Sequence, residues 1–194
     1  MTNSDVVNKT AAVGSIENAN ADSGNGGVSA EDMALINQLA RRELKAEEVY
    51  VFPVTLCDNE TDRDCERFSV SALAKLAELF VGKTGIFDHD PKGANQTARI
   101  FRAELAADES RSTKSGEPYR CVKAMAYMMR TEKNADLIAE IDGGIKKEVS
   151  VCCSVGRKIC SICGADEHRQ PCTHIKGEYY SGKLCEKILE EPSD

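Results

Sequence analysis

Tryptophan is absent from this 194-residue chain and aromatic residues make up only 5% of it. Any core must therefore rest on Leu, Ile, Val, Ala and Met. No apolar run of about eighteen residues occurs, so no helix is long and apolar enough to span a membrane. No basic segment leads into an apolar one after Met1, as a secretory signal requires. Basic excess is missing too: 25 Lys and Arg stand against 32 Asp and Glu, a net charge of -7. That argues against nucleic acid as the main partner. Gly82-Lys-Thr84 resembles the end of a phosphate-binding loop, but Ala77 stands where that motif needs glycine.

What is plentiful is cysteine, nine in all, with histidine scarce at three. Without a secretory signal the cysteines read as reduced and cytosolic. Adjacent Cys152 and Cys153 point to opposite faces of a strand, which suits packing better than bridging.

Residues 1–28 are rich in Asn, Ser, Ala and Gly and read as a disordered tail. Ser29 is placed to cap a helix whose apolar stripe is Leu35, Ile36, Leu39 and Ala40. Val49 to Leu56 is β-rich, and Pro53 makes it an edge or bulged strand. Ser69 or Ser71 caps a second helix that buries Leu73, Leu76, Ala77 and Phe80 and stops at Gly82. Thr84–Phe87 is a short strand. Thr97–Leu105 and Tyr119–Met129 pair across a long polar loop, 106–118. A third helix carries Leu137, Ile138 and Ile141 and stops at Gly143-Gly144. These elements predict a β-rich α+β domain, a sheet curled into a barrel with helices outside.

The chain then enters Glu148-Val-Ser-Val-Cys-Cys-Ser-Val155. Val149, Val151, Cys153 and Val155 alternate with Ser150, Cys152 and Ser154, a period of two. One face is apolar and the other carries small, reactive groups that a substrate backbone can approach. Upstream, Gly85-Ile-Phe-Asp-His-Asp90 places His89 just after a strand. The expected chemistry is acyl transfer, with Ser150 as nucleophile and His89 as its base. Gly156 is a candidate for close backbone approach beside the oxyanion.

In order and spacing, the Phe-Asp-His-Asp segment, the Thr97-Ala-Arg-Ile-Phe-Arg102 strand and the Gly-Gly-ended helix before Ser150 resemble the tailed-phage prohead proteases. These are capsid-maturation serine proteases related in fold to herpesvirus assemblin. The resemblance covers roughly residues 47–156 and frames 29–157 as a prohead-protease-like domain. It implies an assemblin-like barrel in the host bacterial cytoplasm, inside the phage procapsid. The partners and substrates would be phage scaffold and major capsid protein extensions, and the enzyme itself. Dimerisation is common among the assemblin relatives, so a homodimer is in view. The chain departs from the family at the third catalytic group. Related phage enzymes continue into a further strand with an acidic residue, whereas this sequence closes at Glu190-Glu-Pro-Ser-Asp194. Weak or no activity is therefore expected of the 194 residues alone.

Residues 158–190 form a separate pattern. Cys160-Ser-Ile-Cys163, eight residues, then Cys172-Thr-His174 supplies four soft or borderline ligands. That spacing suits a closed tetrahedral structural zinc site in a loop-rich knuckle that needs a metal to fold. Cys185 and His168 are reserve ligands. The competing function is a non-enzymatic, zinc-bearing structural or adaptor protein of the phage particle.

Overall fold

A computed structural model describes residues 5–12 and 28–193. Ten strands and three helices follow in order: β1 (Asp5–Ala12), α1 (Ala30–Leu39), β2 (Val49–Asp58), β3 (Glu66–Phe68), α2 (Val70–Phe80), β4 (Thr84–Ile86), β5 (Gln96–Ser112), β6 (Pro118–Met129), α3 (Ala135–Asp142), β7 (Glu148–Cys160), β8 (Tyr179–Tyr180), β9 (Lys183–Leu184) and β10 (Lys187–Ser193).

The strands make one four-stranded sheet in the order β1-β7-β10-β3, a second in the order β2-β6-β5-β4, and a small hairpin of β8 and β9. The class is mixed α+β and mostly strand, as expected. Where the sequence predicts one sheet curled into a barrel, the strands form two sheets, with no ladder joining them among the described residues. Their inner faces share one core. Val7, Val151, Cys153, Val155 and Leu189 of the first sheet meet Phe52, Val54, Leu56, Val122 and Ala124 of the second. Helix α2 contributes Ala72, Leu73, Leu76 and Ala77 to the same core.

Local chemistry explains most boundaries. Ser29 Oγ accepts from the Asp32 amide at 3.0 Å and starts α1. Ser69 does the same for α2, accepting from Ala72 N at 3.1 Å. Gly82 follows α2 at φ +85°, a conformation other residues adopt only with strain. Pro53 lies on β2, an edge strand with a register shift between Thr55 and Cys57. A residue without an amide donor is tolerated at such an edge, where one side of the strand has no ladder to supply.

Two expectations are corrected. Residues 1–28 were expected to be a disordered tail, yet Asp5–Ala12 pairs antiparallel with β7 over its whole length; residues 1–4 and 13–27 lie outside the described residues. Segment 106–118 was expected to be a loop, yet β5 runs to Ser112 and the turn narrows to residues 113–117, where Thr113 N donates to Glu117 O at 2.8 Å. Pairing with β6 satisfies the backbone of Ala106, Ala107 and Asp108, although most side chains there are exposed. Neither segment shows the apolar alternation that marks a strand in sequence, because long-range pairing rather than propensity forms them.

The two faces of the fold predict opposite mutational outcomes. Leu76 is 1% exposed in the shared core, so Leu76→Ala should cost about 2–5 kcal/mol in urea denaturation. Cys152 faces outward, and Cys152→Ala should shift stability by less than about 0.5 kcal/mol.

Candidate functional site

Strand β7 behaves as its period predicted. Val151, Cys153 and Val155 are buried, while Ser150 and Cys152 are exposed and Ser154 half-buried. Burial of one face against both sheets holds the backbone, so the outward row is presented on a rigid element. Burial also pushes the Cys153 thiol up to about 11, with Cys152 beside it adding to the effect. That thiol is an apolar packing group, not a nucleophile.

His89 lies in the turn after β4, at the edge of the other sheet. Asp88 and His89 take φ values of 55° and 54°, two left-handed residues in succession, and both side chains are exposed. Asp and His are among the residues that enter this region most readily, and Cys65, Ser181 and Glu191 adopt the same φ elsewhere in the chain. Among the described residues no hydrogen bond joins His89 to Ser150. The close approach at Gly156 is made by β10: a Cβ there would meet the Glu191 carboxylate at 3.0 Å and its Cβ at 3.2 Å.

The cysteine segment forms a cluster. Donor atoms of Cys160, Cys163, Cys172 and His174 all lie within 4.8 Å of one another. Cys163 Sγ and Cys172 Sγ are 3.5 Å apart, and Cys172 Sγ is 3.5 Å from His174 Nδ1. A tetrahedron with metal–sulfur bonds of about 2.3 Å has sulfur–sulfur edges of about 3.8 Å, and slightly shorter edges to nitrogen. The four donors therefore lie close enough to share one metal ion.

The backbone around Cys160 is shaped for this. Gly164 turns at φ +74°, and its amide donates to Cys160 O at 2.9 Å. Desolvation opposes ionisation of Cys160, but hydrogen bonds from the Cys163 and Ile162 amides and from the Cys172 and Cys163 thiols outweigh it. The thiol is lowered to about 6. The His174 ring meets Tyr180 edge-on at 4.5 Å, and the Tyr180 hydroxyl accepts from Ile175 N at 2.9 Å.

The reserve ligands take other places. Cys185 is fully buried, 3.9 Å from Cys160 Sγ. Desolvation first, and Cys160 second, push its thiol up to about 11. Cys185 is not among the four residues whose donor atoms all lie within 4.8 Å of one another. His168 turns away, its ring nitrogens 3.2 Å from Gly156 O and 3.3 Å from Asp5.

The cluster is also a fastening. It closes the excursion between β7 and β10, which returns Lys187 and Ile188 to pair with Cys160 and Ile159. Just before β10, Glu186 is 2% exposed and is held by Arg67 Nε at 2.9 Å and by the Thr61 hydroxyl. Arg67 also makes a two-pronged contact to Glu117 at 2.7 and 3.0 Å. Sequence reasoning missed this buried pair, whose partners lie far apart along the chain.

No known protein family, curated protein or solved structure matches the chain.

Purified protein should carry about one tightly held metal ion per chain. Replacing Cys160 and Cys163 together with serine should release it. Amide exchange should then rise across residues 158–190 while β2, β5 and β6 remain protected. Full metal retention in the double variant would contradict the ligand set.

Proposed function

We propose that this chain is the serine endopeptidase domain of a phage capsid-maturation system, with Ser150 as nucleophile, His89 as base and a structural zinc ion in the Cys160, Cys163, Cys172 and His174 cluster. The observation that carries this reading is the two-faced β7. It fixes Val151, Cys153 and Val155 in the core and leaves Ser150 on an open row of small side chains. The exposed His89, in the turn after β4, supplies an accessible imidazole for the role of base. The order of these elements is also that of the prohead proteases the sequence resembles.

In this mechanism neutral His89 takes the Ser150 hydroxyl proton as Oγ attacks the scissile carbonyl. The peptide C–N bond breaks, the acyl group stays on Ser150, and His89 returns its proton to the leaving amine. Water then releases the acyl group by the same proton route in reverse. Contacts of this kind tighten when substrate binds, so an open pair in the free chain is compatible with the roles. Three thiolates and one imidazole are the ligand types of structural zinc, and four protein donors leave no open position for catalysis at the metal. The substrates are scaffold and major capsid protein extensions, and the enzyme itself.

A second reading is favoured by one observation. Ser150 and His89 stand on different sheets without a mutual hydrogen bond, whereas the metal cluster is assembled. On that reading the chain is a zinc-bearing structural or adaptor protein of the phage particle.

Co-expression with scaffold separates the two. Ser150→Ala should abolish scaffold processing with folding unchanged, and His89→Ala should do nearly the same, since nucleophile and base act as a unit. Unchanged processing by the Ser150→Ala protein would end the protease reading at this site and leave the adaptor reading.

A further inference from the structure

Strand β1 is held as a docked peptide is held. It pairs antiparallel with β7 from Asp5 opposite Val155 to Ala12 opposite Glu148, at the outer end of its sheet. Its alternate residues Asp5, Val7 and Lys9 share one face by the strand period. Each meets a different kind of receptor. The Asp5 carboxylate is 3.0 Å from Lys158 Nζ and 3.3 Å from His168 Nε2. Val7 is 5% exposed and joins the shared core. The Lys9 ammonium is bound by Asp62 and lies 3.7 Å from Glu66. Between them Val6 is 66% exposed.

With β1 in place, the Lys158 and Glu66 side chains are only 15% and 13% exposed, and they lie 3.8 Å apart. Lys176 also holds Glu66 at 3.0 Å. Lys158, paired with Asp5, and the carboxylates of Asp62 and Glu66, paired with Lys9, therefore offer charges of both signs beside the buried seat of Val7. Main-chain pairing supplies affinity in such a groove, and the alternate side chains supply selectivity. The Lys158 ammonium, then the His168 ring, hold the Asp5 carboxyl below its ordinary range.

Residues 13–27 connect β1 to the rest of the chain and are rich in Gly, Asn, Ala and Ser. A connection of that composition raises the local concentration of β1 without adding a contact.

We propose that the β7 edge from Glu148 to Val155 is a strand-docking slot. It reads an acidic, an apolar and a basic residue at alternate positions of an extended protein segment, and residues 5–12 are its tethered, displaceable occupant. The ligand it takes in trans is a segment with the same Asp-x-Val-x-Lys pattern. Binding does not use the chemistry of Ser150. The docked strand nevertheless passes alongside that residue, since Thr10 is the partner of Ser150 in the ladder.

The test uses the full chain with a site-specific cleavage sequence placed within residues 16–24, cut after folding. A dye-labelled peptide of residues 4–13 is added and followed by fluorescence anisotropy. The labelled peptide should exchange into the cut chain and be excluded by the uncut chain. A Lys9→Glu peptide should bind at least about tenfold more weakly, since it sets a like charge against Asp62 and Glu66. Equal binding of the two peptides would overturn the charge reading, and equal binding to cut and uncut chains would place the peptide elsewhere. A cut segment that never leaves, or a chain that loses its circular dichroism signal when the segment is diluted away, would make β1 a fixed part of the fold and also overturn the proposal. Loss of proteolysis in Ser150→Ala leaves these outcomes untouched, so the two ideas fail separately.

Discussion

Burial of Val151, Cys153 and Val155 is the constraint on which the rest depends. These residues seat β7 against a core drawn from both sheets and α2. A strand cannot shift register by one residue without turning that face to solvent, so the position of Ser150 is set by its neighbours. The same strand runs on to Cys160, the first metal-cluster residue. Core, outward row and cluster thus share one backbone.

The second constraint is the return of the chain to that strand. Residues 161–186 bury little apolar surface of their own: Ala165 and Cys185 are their only buried hydrophobic residues. A segment of that kind cannot offset its ordering entropy by packing. The Gly164 turn and the Ser181-Gly182 turn of the β8–β9 hairpin supply local order instead. Burial of Glu186 against Arg67 and Thr61 then fixes the entry to β10. Removing either partner would leave a buried charge, which is why such pairs are costly to break.

Much of this was legible in the sequence where a signal is local. The period of β7, the serine caps at Ser29 and Ser69, the edge placement of Pro53 and the ligand spacing from Cys160 to His174 each follow from neighbours in the chain. What was not legible depends on contacts between distant residues. Asp-Val-Val-Asn-Lys carries no clear alternation, and β1 becomes a strand only because β7, Lys158 and the Asp62–Glu66 pair receive it. The placement of Cys185 beside Cys160 is likewise invisible in spacing. His89 shows the limit most clearly: its type and its turn are readable, while its relation to Ser150 is a matter of how two sheets meet.

Reaction with a fluorophosphonate, followed by peptide mass spectrometry, tests the central claim most directly, because it reads nucleophilicity without needing the natural substrate. Followed for long enough to allow for the weak activity expected of these 194 residues, the chain should acquire a single adduct on Ser150, and the adduct should disappear in His89→Ala. A folded, metal-loaded chain with Ser150 unmodified, or with labelling indifferent to His89, would contradict the account.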